Sequence, residues 1–296
     1  MTMRALLLPI LVPLALCAEN TADDAKSSDG WDISVQANVM TGLNAYSDNW
    51  EGGEAGSINW TLKFDGSAKR QLTPALHSAN TIRLAFGETH IQDKDTDKWL
   101  APTKSTDEID LESILSLTRG WFVDPYLGVR FESQFWDPPA DSTETDQYFN
   151  PILLTESFGA TKDLIDADPT KLQMRIGGAC RQSIERMIDT TTVTNDVGVE
   201  FITTFETTTR KDWITFASRL KVFQALVSSE TDDIEDHNEW RYPDIDWENT
   251  LSINVTKYIM AGFTHQVLYD KQIESEGGPR WRLTASLGIT LAHRNK

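Results

Sequence analysis

The sequence is short of cysteine, basic charge, histidine and long apolar runs, and each shortage removes a class of protein. Cysteine occurs twice, at Cys17 and Cys180. Cys17 lies in an N-terminal apolar segment, so a chain processed there keeps one thiol and cannot staple itself with an intrachain disulfide. Lys and Arg number 27 against 45 Asp and Glu, a formal net charge of -18. Nucleic acid is recognised through basic patches, and no such partner is expected. The five histidines, His77, His90, His237, His265 and His293, include no two at metal-ligand spacing on one element. Asp93-Lys94-Asp95-Thr96-Asp97 begins like a calcium loop, but Lys98 and Lys104 stand where that loop needs Gly and Glu. Nucleophile elbows, phosphate-binding glycine loops and Cys–His arrangements are missing, and only His77-Ser78 offers a local Ser–His pair. No enzyme and no cofactor is therefore expected. After the N-terminus no apolar stretch approaches the roughly 20 residues of a membrane helix. The mean hydropathy of -0.38 looks soluble. It is equally compatible with a membrane barrel, whose strands show lipid only every second residue around a polar lumen.

What is present starts with Met1-Thr2-Met3-Arg4, an apolar run from Ala5 to Leu16, and small residues at Cys17 and Ala18. One positive charge, a short apolar core and a small-residue exit describe a secretory signal peptide over 1–18. Leu14-Ala15-Leu16-Cys17 also suggests lipidation of Cys17, but Leu16 is bulky where a small residue belongs, and plain cleavage is expected. Residues 19–30 are acidic and aperiodic and read as a flexible lead. A β-barrel over 31–296 follows.

From Trp31 onward the pattern has period two. Ile58-Asn59-Trp60-Thr61-Leu62-Lys63-Phe64-Asp65 alternates without a fault, as does most of Leu127 to Phe135. Trp281, Leu283, Ala285, Leu287, Ile289 and Leu291 share one face of the last segment. Successive strand side chains point to opposite faces, so these segments each have an apolar and a polar side. Strands are predicted near 31–47, 57–70, 77–91, 108–120, 125–136, 149–163, 170–184, 193–207, 213–228, 246–257, 260–271 and 279–293. Residues 105–118 also fit a helix, with Ser105 as cap and Glu108 completing a capping box. A strand there completes the run of hairpins and is preferred. The strands exceed the five or so residues usual in soluble sandwiches and suit a tilted crossing of a bilayer.

Two kinds of connection alternate. Acidic, mostly longer ones fall at 48–56, 92–107, 137–148, 185–192, 229–245 and 272–278. Tighter ones fall near 71–74, 122–124, 163–169, 208–212 and 257–258. Short periplasmic turns and long outer loops are expected of an outer-membrane barrel. The expected architecture is thus an all-β, antiparallel, up-and-down transmembrane barrel of about twelve strands. Its aromatics gather at both ends, and Trp31, Trp121, Tyr126, Trp136, Trp213, Tyr258 and Trp281 are the expected interface anchors.

Asn49-Trp50-Glu51-Gly52-Gly53, the strand around Asn249-Thr250-Leu251-Ser252-Ile253, Val267-Leu268-Tyr269-Asp270 and the final Leu287-Gly288-Ile289 resemble an uncharacterised family of bacterial outer-membrane β-barrel proteins. The resemblance implies a fold and a location, the outer membrane of a two-membrane bacterium after export, and no activity. Such barrels commonly end on an aromatic residue, whereas this chain reads Leu291-Ala292-His293-Arg294-Asn295-Lys296. That departure keeps a soluble exported β-sandwich or barrel with an apolar ligand as the alternative, and a membrane lipid hydrolase as the third reading.

If the apolar faces meet lipid, the charged positions between them face a lumen. The candidates are Lys63, Asp65, Arg83, Arg130, Glu132, Arg175, Glu200, Arg219, Lys221 and Arg282. They either set ion selectivity or pair with one another and fill the barrel. The function expected is a non-enzymatic minor channel or structural component, with a filled lumen favoured. Lipid is the expected partner, together with divalent cations at acidic loops such as Asp232, Asp233, Glu235 and Asp236.

Overall fold

The computed structural model describes residues 30–44, 56–93, 96, 98–138, 146–187, 190–209, 213–229, 239–272 and 278–295. The expected leader over 1–18, Cys17, most of the lead over 19–30 and the Asn49–Gly53 motif lie outside them.

Twelve strands follow one another: β1 Asp32–Asn44, β2 Ser57–Thr73, β3 Leu76–Ile91, β4 Thr103–Leu117, β5 Asp124–Ser133, β6 Ile152–Ala167, β7 Thr170–Arg186, β8 Thr191–Thr208, β9 Ile214–Ser228, β10 Asp244–Asn254, β11 Ile259–Tyr269 and β12 Arg280–Asn295. Each pairs antiparallel with the next, and β1 also pairs with β12 from Ile33↔Asn295 to Thr41↔Leu287. The sheet is a closed up-and-down barrel with no free edge. Among the described residues a single 3-10 turn, Glu239–Arg241, is the only helical element. Segment 105–118 is strand, inside β4.

Some boundaries move. β4 begins at Thr103 rather than 108, so the loop after β3 is shorter than expected. Ile165, Asp166 and Ala167 stay paired with β7, which leaves Asp168 and Pro169 as the connection in place of 163–169. Likewise β7 and β8 run on to Arg186 and Thr191, so the expected long loop at 185–192 shrinks to 187–190. The cause is the same in both places. At the barrel ends polar side chains are solvated on either face, so period-two contrast fades while backbone pairing continues.

The inner face is identified by contact. Strands that are not neighbours in a closed barrel reach one another only through its interior. Arg130 of β5 bonds Glu200 of β8, and Arg83 of β3 bonds Glu248 of β10. Register carries that face around the sheet, because directly opposed residues share a side. The other face is apolar and largely uncovered: Val39, Leu62, Leu127, Phe158, Ile176, Leu226, Leu283 and Leu287 all stand exposed, Leu127 to 62%. The fold therefore inverts the usual globular plan, with charge inside and hydrocarbon outside.

Candidate functional site

The interior charges arise from alternation on a few strands. Glu108, Asp110 and Glu112 of β4 interleave with Ile109 and Leu111. Arg130 and Glu132 come from β5, Arg219 and Lys221 from β9, and Asp246 and Glu248 from β10. Register then opposes unlike charges on adjoining strands. Asp65 faces Arg83, Arg83 faces Asp110, Glu112 faces Arg130, Lys221 faces Asp246 and Arg219 faces Glu248. Opposed unlike charges favour the closed register over a slipped one.

Longer side chains then bridge the lumen. Arg83 lies 2.5 Å from Glu248 through Nη2, 3.8 Å from Asp65 through Nε and 3.8 Å from Glu108 through Nη1. Arg130 reaches Glu112 at 3.4 Å, Glu132 at 3.0 Å, and Glu200. Arg175 of β7 meets the same Glu112 at 2.5 Å, and Arg219 bonds Asp110 at 2.9 Å. Lys221 joins Glu132 at 2.7 Å and Asp246 at 3.3 Å. A charge withdrawn from bulk water is costly unless paired and hydrogen-bonded, and a guanidinium can serve several carboxylates at once. These contacts stitch β3, β4, β5, β7, β8, β9 and β10 across the interior. The network holds eight carboxylates (Asp65, Glu108, Asp110, Glu112, Glu132, Glu200, Asp246 and Glu248) against five bases (Arg83, Arg130, Arg175, Arg219 and Lys221).

Among the sequence candidates, Lys63 stands two residues from Asp65 on the same inner face of β2. Arg282 lies apart from the ion-pair layer. It donates to Gln266 Oε1 at 2.8 Å and, across the mouth, to the Ser105 carbonyl of β4 at 3.2 Å. Glu108, Asp110, Glu112, Asp246 and Glu248 are not among the lumen candidates of the sequence, although the alternation of acid with Ile109 and Leu111 is a visible signal. Nearer the long-loop end Arg181 forms a smaller cluster, 3.3 Å from Asp196 and 2.6 Å from Asp244. Its guanidinium lies 4.2 Å from the centre of Phe223, which packs with Ala179, Ala225 and Trp240.

The aromatic expectations need one correction. Trp31, Trp121, Trp213, Tyr258 and Trp281 are exposed, while Trp136 is half-buried in the loop after β5, its indole donating to Asp146 at 2.9 Å. Tyr126 is no interface anchor: it is 4% exposed, with Arg175 5.2 Å above its ring. It shares strand parity with Arg130, so it turns inward. Gly159 and Gly177, directly opposed on β6 and β7, make room beside it. A Cβ at Gly177 would meet the Phe158 carbonyl oxygen at 2.2 Å and the Tyr126 hydroxyl at 2.9 Å.

His77 and Ser78 are consecutive strand residues, paired with Gln71 and Arg70, so their side chains leave opposite faces of the sheet. Among the described residues no group of three or more His, Cys, Asp or Glu is arranged to hold a metal ion. The acidic stretch Asp232, Asp233, Glu235 and Asp236 lies outside them.

Above the ion-pair layer, at the long-loop end, a cavity of about 470 Å³ lies between β4, β5 and β9 to β12. Glu108, Asp246 and Glu248 line it together with Gln266, Arg280 and Arg282.

Fold and site together define a closed antiparallel β-barrel with a charge-packed interior. Over residues 41–137, from the end of β1 past β5, the chain matches the model of a family described as a protein of unknown function, DUF3078. No curated protein matches the chain. Among solved structures it is similar to an outer-membrane channel from Pseudomonas putida F1, at 12% identity and a TM-score of 0.44, covering 92% of this chain and all of that one. It is also similar to the translocator domain of the autotransporter NalP from Neisseria meningitidis, at 10% identity and a TM-score of 0.36, covering 92% and 90%. The TodX monoaromatic hydrocarbon channel gives 10% identity and a TM-score of 0.36, covering 90% of each chain.

Proposed function

We propose that this protein is a non-enzymatic barrel of the bacterial outer membrane, exported by its N-terminal segment, whose lumen is closed to solutes by the layer of ion pairs. The observation that carries this reading is the set of cross-lumen pairs, Arg83–Glu248, Arg130–Glu200, Arg175–Glu112 and Arg219–Asp110. They fill the interior from several sides. An open porin keeps a water-filled lumen, whereas this interior spends its charges on one another. The uncovered apolar exterior supports the membrane half of the reading: such a surface in water would be an aggregation hazard, and in lipid it is the required solvent. The role is then structural, or that of a narrow pore whose opening needs the layer to part.

Two experiments test it. Extraction should require detergent, and unheated protein should migrate differently from heated protein on a gel. In planar bilayers the wild-type barrel should be nearly silent, and Arg130→Met should raise conductance. Release of the protein by salt alone would sink the membrane reading. Steady porin-sized currents from the wild type would sink the closed lumen.

A further inference from the structure

The long-loop cavity differs in chemistry from the layer beneath it. Its floor includes Glu108, whose side chain is 40% exposed and whose nearest base, Arg83, is 3.8 Å away. Asp246 and Glu248 stand beside it. Towards the rim stand Arg280 and Arg282, the first and third residues of β12. The inner face grades from one sign to the other along a single row of opposed residues: Glu248 faces Gln266 and Gln266 faces Arg282. Gln266 links the two poles, its amide nitrogen donating to Asp246 at 2.9 Å while its carbonyl oxygen accepts from Arg282 at 2.8 Å. Neighbouring strands lie about 4.8 Å apart, so Glu248 and Arg282 are separated by about 10 Å of backbone.

We propose that this vestibule binds a compact zwitterion, of the class of free amino acids and short peptides. The ammonium group sits down against Glu108 and Asp246, and the carboxylate sits up against Arg280 and Arg282. A volume of about 470 Å³ suits a solute of that size. A simple cation would leave the rim arginines unused, and a simple anion would face the carboxylate floor. Charge-assisted contacts at both ends favour the molecule that carries both groups. The proposal rests on the barrel reading only in that the long-loop end must be open to solution.

The probe is the dipeptide Ala-Ala, titrated calorimetrically into the full barrel in detergent micelles, beside its N-acetylated and its C-amidated forms. Saturable binding of Ala-Ala is expected, with each capped form weaker by about tenfold or more, the loss of one charged hydrogen bond. Glu108→Gln should reduce Ala-Ala to the level of the acetylated form, and Arg280→Gln to that of the amidated form. Each variant should keep the wild-type gel shift between unheated and heated protein. Equal binding of either capped form, or no saturable binding of Ala-Ala to the wild type, overturns the proposal without recourse to variants. A silent wild-type barrel that fails to bind leaves the closed lumen standing and removes the vestibule site. A conducting one that binds does the reverse.

Discussion

The two faces of β4 make opposite demands of the same backbone. Inward it presents Glu108, Asp110 and Glu112, each within reach of an arginine; outward it presents Leu111 and Leu115, exposed. A slip of one residue in pairing would carry three carboxylates to the exterior and the leucines to the lumen. The apolar face alone does not specify this register, because a leucine is tolerated in many places. The charged face does, since a buried carboxylate such as Asp110 or Glu112 is costly without its partner. The inner face thus fixes the structure, and the outer face fixes where the structure can reside.

That contrast can be broken most forcefully from within. Arg130→Met takes the guanidinium from Glu200, while Glu112 and Glu132 keep Arg175 and Lys221, and removing one partner of a buried pair should cost about 3–5 kcal/mol. Urea unfolding of the barrel in vesicles measures it, and a loss below about 1 kcal/mol would show the layer to be solvated. On the outer face, Leu127→Arg puts a charge between Leu115 and Phe158, the residues opposite it. In vesicles it should cost about 2–4 kcal/mol, the depth-dependent figure for a lipid-facing arginine. The same substitution would cost almost nothing on a soluble barrel, so the size of the effect tells lipid from water. Between the faces, Gly177→Ala forces a methyl onto the Phe158 carbonyl and the Tyr126 hydroxyl, with an expected loss of about 1–3 kcal/mol from overpacking. An unchanged melting midpoint would mean that β6 and β7 move apart freely. Asp65→Asn should do least. Its pair with Arg83 is 3.8 Å long and Asp65 is half exposed, so the change should stay within about 1 kcal/mol.

Much of this was legible beforehand. Alternation marks twelve strands because each strand separates two media, and the sorted loops follow from the chain returning to the same end every second crossing. The inner charges follow from the same parity. Tyr126 was misplaced although its parity with Arg130 and Glu132 already pointed inward; its position near a turn suggested an interface, and position alone does not decide side. The partners of the charges could not be read. Whether Arg83 meets Glu248, 165 residues away, depends on how far the sheet is sheared before it closes, and that is a property of the ring as a whole. The strand ends were blurred for the opposite reason. At Ile165-Asp166-Ala167 and Glu185-Arg186 both faces reach water, so the sequence ceases to distinguish them.

The junction of β1 with β12 carries a consequence for assembly. Hairpins such as β6–β7 need only neighbouring residues, and their backbone bonds can form locally. Arg130–Glu200 and Arg83–Glu248 cannot, because they require strands that face each other only once the sheet has curled into a ring. An unfinished barrel therefore pairs only the charges that adjoining strands oppose, such as Glu112–Arg130 and Lys221–Asp246, and leaves the cross-lumen partners apart. Meeting of the first and last strands brings those cross-lumen partners together. The last backbone seam to close is thus also the step that completes the pairing of the interior.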